Sequence, residues 1–267
     1  MIVGIGTQLG RTLSGQKDFT LDSLVATAFD PYLTSFDGLL PPLFEAYRAT
    51  PVSDPLKVRF TDQIEALEHW DRRWSVDSAP TALAIYFAQE LWRTMQADPG
   101  SDSLSVLRQV ATESNPEQRL RALAAASYKL TMDFKSWKTP WGEINRFQRL
   151  AGDIVQPFND GAPSIPVGFT SGTWGSLAAF EAKTYPGTKQ MYGTSGNSFV
   201  AVARIRRCGL RMAHFVTSIS IQKISKNISP RNTILGSEAG ARMRLKCSLS
   251  EWIGRQAILT CGHSKSS

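Results

Sequence analysis

Residues 1–203 of this 267-residue chain contain no cysteine, and residues 204–267 contain almost no acid. The three cysteines, Cys208, Cys247 and Cys261, all fall in the second stretch. An odd number of them defines no disulfide framework and assigns no redox compartment. Histidine is scarce, with three in the whole chain, which leaves little material for His-based metal sites or general-base networks. No apolar run approaches the roughly 18 residues needed to span a bilayer. The opening Met1-Ile2-Val3 lacks a basic region ahead of an apolar one, and Gly4, Gly6 and Gln8 interrupt it, so it does not read as an export signal. No repeat of fixed period excludes solenoid and propeller architectures.

What is present is distributed unevenly. The chain is +7 overall, yet residues 204–267 hold 12 basic residues against Glu238 and Glu251. The tail is therefore +10 and residues 1–203 are −3. Ten serines and a single tryptophan, Trp252, lie in the tail, while the other six tryptophans lie in the body. The two stretches follow different compositional rules, with a break near residue 203. A hydrophobic content of 42% is enough for the body to bury a core.

The first half reads as helical. Thr20 caps a segment with Leu21, Leu24, Val25, Ala28 and Phe29 on one stripe. Pro41-Pro42 is expected to interrupt, leaving Leu43–Arg48 as a short amphipathic turn or helix. Asp54-Pro55 opens a segment with Leu56, Phe60, Ile64 and Leu67 on one face, and Ser78 and Pro80 open another carrying Leu83, Phe87 and Leu91. Asn115-Pro116 starts a fourth helix over Glu117–Leu130, with Leu120, Leu123 and Ala124 inward. Asp98–Ser103 reads as a loop. After Lys135 the pattern becomes irregular. Nine glycines lie among residues 142–196 beside Trp141 and Trp174, a stretch that side-chain packing must hold. Strands are expected at Ile165–Val167 and Ser198–Val202, and a weakly alternating one at Phe215–Ile224. The class is α+β: a helical first half, then a loop- and strand-rich second half.

Several blocks together carry a resemblance. They are FTLDSLVATAFDPYL, LLPPLFEAY, DPLKVRF and EALEHWDRRWSVDSAPTALAIYFAQELW, followed by the most specific, WGEINRFQRL and YGTSGNSFVAV. Within the fourth, Trp70, Asp71, Trp74, Ser75, Asp77, Ser78 and Thr81 look like a W-D-x-R-x-S-x-D-S helix start. Over about residues 15–203 the chain resembles the penicillin acylase family of N-terminal-nucleophile hydrolases, including the acylhomoserine-lactone acylases. The resemblance implies part of an αββα four-layer fold and hydrolysis of an acyl amide C–N bond, as in β-lactam or acylhomoserine-lactone side chains. In that family a self-cleaved precursor exposes a Ser, Thr or Cys whose own α-amine is the base. An amine with a pKa near 8 can take the neighbouring hydroxyl proton at neutral pH.

Two departures shape the expectation. The matched blocks resemble the last part of the family's large chain, and the family's nucleophile, its following His and its oxyanion-hole Asn lie upstream of them. This chain alone is therefore expected to be inactive, and no residue is assigned a catalytic, cofactor-binding or metal-ligating role. The match by motif also stops at Val202, where the family continues with Glu-Phe-Gly and this chain reads Arg204-Ile205-Arg206. Codons of the form CGN-ATH-CGN, read from their second base, accommodate Glu-Phe-Gly. Residues 1–203 are thus expected to form the acylase-like portion, and 204–267 a basic tail read from a shifted frame.

Other candidates have simpler readings. Gly193-Thr194-Ser195-Gly196 lacks the nucleophile-elbow spacing and is expected to be a tight turn, with Gly193 and Gly196 supplying positive φ. His69, Asp71 and Asp77 have no triad or ligand spacing, and Trp70 and Trp74 suggest a packed helical face beside them. Cys247, Cys261 and His263 fit no standard zinc spacing. Asp71, Asp77 and Asp153 read as caps and ion pairs. The tail's scattered charge suits nonspecific attraction to polyanions, not specific nucleic-acid recognition. The partner implied by the resemblance is the upstream acylase segment, on the same gene or on a separate nucleophile-bearing chain. A non-enzymatic polyanion-binding module is the alternative from another class. The resemblance implies a periplasmic or secreted location for the intact enzyme. An incomplete core is expected to leave apolar surface exposed.

Overall fold

The computed structural model describes residues 5–15, 18–94, 103–148, 158–197, 200–207 and 210–217. Among the described residues nine helices come first: α1 (Ile5–Ser14), α2 (Leu21–Ala28), α3 (Phe36–Ala49), α4 (Pro55–Arg59), α5 (Thr61–Glu68), α6 (Ala79–Thr94), α7 (Ser103–Glu113), α8 (Pro116–Phe134) and α9 (Trp141–Ile144). Strands follow: β1 (Asn145–Phe147), β2 (Ile165–Pro166), β3 (Phe180–Lys183), β4 (Met191–Gly196), β5 (Val200–Arg207) and β6 (Leu210–Thr217). Helices followed by a segregated sheet make the class α+β.

The helix starts follow their capping chemistry. Thr20 and Asn115 each form a capping box, with the residue three positions on returning a hydrogen bond. Asp54 accepts from the Leu56 amide, with Pro55 in the first turn. Ser78 Oγ accepts from the Thr81 amide at 3.2 Å and from the Thr81 hydroxyl at 2.8 Å. Helix α8 runs to Phe134, past the expected end at Leu130, and stops at Lys135 in the left-handed region (φ 71°).

Helices α6 and α8 form the central pair, α3 lies along α8, and α7 packs against α3 and α6. Leu83, Phe87 and Leu91 of α6 and Leu123 and Leu130 of α8 are fully buried between them. Helix α3 contradicts the expected interruption: it runs unbroken through Pro41 and Pro42. Two interior prolines cost about 3 kcal/mol each. Burial of Phe36, Leu39, Leu40, Leu43 and Phe44 on both sides of the pair recovers about 1.5–3 kcal/mol per side chain, so burial wins.

The stripe Leu56–Leu67 is divided into α4 and α5 at Phe60. The Tyr47 and Thr61 hydroxyls both donate to the Lys57 carbonyl at 2.9 Å and take the place of a helical amide. The chain bends there and Phe60 is buried.

Trp70 and Trp74 are not on a helical face. They belong to the loop between α5 and α6, where Arg72 has φ 59° and Arg73 bridges to Tyr32. Trp70 meets the Phe36 ring edge-on at 5.3 Å and Trp74 meets Phe169 at 4.8 Å. Burying an indole against the core outweighs continuing a helix that Arg72 leaves. The Asp30 carboxylate, paired with both Arg11 and Arg73, ties α1 and α2 to this loop.

The main sheet has the order β2-β1-β4-β3. Strands β1 and β4 are parallel (Asn145↔Met191), and the outer pairs are antiparallel. Strand β2 ends at Pro166, and Val167 donates its amide to the Asn145 carbonyl at 2.9 Å. The expected turn at 193–196 is instead the strand β4, and neither glycine has positive φ. A Cβ on Gly193 would sit 2.7 Å from the Phe180 ring, and one on Gly196 would sit 2.8 Å from the Ala179 carbonyl. These glycines permit close approach of β3; they do not make a turn.

Strands β5 and β6 pair as a separate two-stranded ribbon, residue for residue from Val200↔Thr217 to Arg207↔Leu210. Residue 203 therefore falls inside a strand. Of the expected strands, Ser198 and Phe199, and residues 218–224, lie outside the described residues. So do 98–102 of the expected loop, and Ser103 begins α7.

Candidate functional site

The tryptophan- and glycine-rich stretch is held as its composition requires, by side chains bonding to backbone. Pro140 starts α9. The Trp141 amide donates to the Ser78 carbonyl and the Gly142 amide to the Val76 carbonyl, at 3.1 and 2.7 Å. A Cβ at Gly142 would lie 2.9 Å from Val76, so only glycine allows this contact. Trp141 Nε1 donates to the Gly168 carbonyl at 3.1 Å.

Asn145 ends α9 and begins β1, with no exposed surface. Its Nδ2 donates to the Val167 carbonyl at 2.8 Å and to the Phe169 carbonyl at 2.9 Å. Two carbonyl acceptors on one atom fix the orientation of the carboxamide, because an oxygen could not serve them. Its Oδ1 is buried and has no hydrogen-bond partner among the described residues.

A 3₁₀ turn, Gly172–Trp174, places the third indole. Ser171 Oγ caps it by accepting from the Thr173 amide, Glu181 Oε1 accepts from the Gly172 amide at 3.1 Å, and Gly175 closes it at φ 106°. Trp174 lies 5.9 Å from Phe36 and edge-on to Trp92 of α6 at 6.4 Å.

Between α6, α9, this turn and the sheet lies a cleft of about 350 Å³. Trp92, Trp141, Trp174, Phe180 and Met191 form much of its wall, and Asn145 is its buried polar member. The hydroxyl of Ser171 is committed to its cap. His69 sits at the end of α5 and contacts the Glu65 carbonyl through Nδ1 at 2.8 Å. The cleft therefore brings together aromatic surface with the polar side chains of Gln89, Arg93, Ser171, Thr173 and Glu181, a set suited to holding a group.

Beside it, Phe158 stacks on Tyr192 at 4.9 Å and Asp160 accepts from the Tyr192 hydroxyl at 2.9 Å. Burial, then the hydrogen bond to Asp160 and its negative charge, push the Tyr192 phenol up to about 12. Tyr86, buried in α6, is pushed above the usual tyrosine range chiefly by desolvation.

The weighed residues are not assembled into a site. Asp71 Oδ1 accepts from the Arg73 amide in a local turn, and the Asp77 amide donates to Ser75 Oγ. Thr194 Oγ1 donates to the Glu181 carbonyl along the strand. Asp153, Cys247, Cys261 and His263 lie outside the described residues. Among the described residues no group of three His, Cys, Asp or Glu could hold a metal, and no helix is long and apolar enough to cross a membrane. Asn145 was not singled out by sequence; its position in WGEIN beside two buried indoles is the signal that marks it.

The penicillin amidase family model matches residues 5–265, nearly the whole chain. The chain belongs to the penicillin amidase family. That match supports a hydrolase of the acylase type. It runs past Val202, where the motif-level resemblance ends, and through the basic tail. No curated protein matches the chain.

Proposed function

We propose that this chain is the C-terminal portion of the large chain of a penicillin-amidase-type enzyme that cleaves the acyl amide C–N bond of a β-lactam or acylhomoserine lactone. It does not turn over substrate by itself. The family match carries the reading. Two structural observations support it. Among the described residues the main sheet has four strands of two to six residues, less than two packed sheets between helical layers require. Near the cleft, Ser171 Oγ caps the Thr173 amide, Glu181 Oε1 takes the Gly172 amide and Asn145 Nδ2 serves two backbone carbonyls, which leaves these three side chains in structural bonds. The nucleophile-bearing segment is the proposed partner, and the intact enzyme is proposed to act in the periplasm or outside the cell.

The test is amine release from a β-lactam amide and from an acylhomoserine lactone. The purified chain should show none above background, and adding a nucleophile-bearing acylase segment should restore it. Turnover by the purified chain alone would refute the proposed inactivity. The charge break supports treating residues 204–267 as a separate, frame-shifted piece, although β5 and the family match both cross residue 203. The nucleotide sequence decides it: no alternative frame past codon 203 that restores family-like residues would end that proposal.

A further inference from the structure

The cleft is lined by one charge of each sign, carried on two different elements. Arg93 comes from α6, one turn on from Gln89 and next to Trp92, and Glu181 comes from β3. Among the described residues no ion pair joins the two. Arg93 pairs instead with Glu90 on its own helix, at 2.5 Å, with its side chain 63% exposed. That contact uses Nη1 and leaves Nε and Nη2 without a protein partner among the described residues. Glu181 is half-buried, and its Oε1 accepts from the Gly172 amide at 3.1 Å. This bond orients the carboxylate and leaves Oε2 uncommitted. Ring surface lines the same cleft: Trp92 stands edge-on to Trp174 at 6.4 Å, and Phe180 precedes Glu181 on β3.

We propose that this cleft binds a small zwitterion with a flat apolar side chain, an aromatic amino acid, its carboxylate taken by Arg93, its ammonium by Glu181 and its ring by Trp92, Trp174 and Phe180. Three features select this class. An anion alone meets repulsion from Glu181 and a cation alone meets it from Arg93, whereas a zwitterion answers both charges. Glu90 does not cancel the arginine, because an exposed pair three residues apart on a helix is weak and the guanidinium fork can serve a second carboxylate. Indole and phenyl surface selects a planar ring by stacking and edge contacts. The volume, about 350 Å³, is at the small end of ligand pockets and suits one amino acid, not a longer peptide. The site does not require the chain to be catalytic, so it stands or falls separately from the proposed function.

Phenylalanine, its amide and its N-acetyl derivative are the decisive probes, because they share the ring and differ in one charge each. The two blocked forms also stand for the ends of a peptide, which carry one charge and not both. Calorimetric titration of the full 267-residue chain should show saturable binding of phenylalanine, about tenfold tighter than either blocked form and than leucine. Arg93→Gln should bind phenylalanine and its amide equally while still rejecting the N-acetyl form. Glu181→Gln keeps an acceptor for the Gly172 amide and should show the reverse pattern. Each variant should retain the parent far-ultraviolet spectrum, and a merely structural loss would not remove one discrimination and spare the other. No saturable binding of phenylalanine, equal affinity for the free and blocked forms, or leucine binding as tightly overturns the assignment. Unchanged discrimination in both folded variants overturns its placement in this cleft.

Discussion

Gly175 closes the turn that sets Trp174 against α3, and its replacement by alanine can be compared with a matched control. Gly175 has φ 106°, and an added Cβ would lie 2.5 Å from Thr34 Oγ1 and 2.8 Å from the Thr34 amide nitrogen. Gly187 also has positive φ, 84°, but an added Cβ would meet nothing within 4 Å. Both substitutions incur the left-handed penalty, about 1–2 kcal/mol. Only Gly175→Ala incurs the clash, against backbone that Ser35 holds through its bonds to the Trp174 and Thr173 carbonyls, adding about 1–3 kcal/mol. With a urea slope of about 3 kcal/mol/M, the midpoint should fall by about 0.3–0.7 M for Gly187→Ala and about 0.7–1.7 M for Gly175→Ala. Tryptophan fluorescence reads both, since Trp174 is 6% exposed in the fold. Equal midpoints would refute the claim that this turn is locked onto the start of α3.

Pro41→Ala should stabilise the chain by about 2 kcal/mol, since an exposed helix-interior proline is removed at a small cost in unfolded-state entropy; a thermal melt should rise by several degrees, and a fall would show that the ring packs productively. Asn115→Ala removes the capping box of α8 and should cost about 1 kcal/mol in a urea titration. Because Tyr192 ionises near 12 in the fold and near 10 when unfolded, its contribution is intact below pH 10 and lost as pH rises from 10 toward 12; Tyr192→Phe should flatten that part of a stability-versus-pH curve. Retention of the chain on duplex DNA should vanish at moderate salt, and binding that survives would mark specific recognition by the basic tail.

The helix starts were legible because each rests on local chemistry: Thr20, Asp54, Ser78 and Asn115 satisfy amides two or three residues away. Where long-range packing decides, the sequence was misleading. Pro41-Pro42 looks like a break until five buried side chains hold the helix together across it. Trp70 and Trp74 have helical spacing but reach Phe36 and Phe169, neither of which their own segment reveals. Gly193 and Gly196 suggest a turn because turns and close approaches use the same residue for different reasons. The cleft was illegible for a related cause. Its walls come from α6, α9, the 3₁₀ turn and β3, and Asn145 becomes an unpaired acceptor only once Val167 and Phe169 arrive.

The parallel pairing of β1 with β4 also sets an order of events. Each helix forms from bonds between residues a turn apart, but Asn145 must wait for Met191 before the middle of the sheet exists. Closing such a loop is slow compared with forming helices. During synthesis the helical half is complete while the sheet still lacks its second central strand, and Trp141 and Asn145 face water in the interval. A refolding experiment should therefore recover helical circular dichroism before the Trp174 environment, and a chaperone that recognises exposed indole surface would meet this chain in that window.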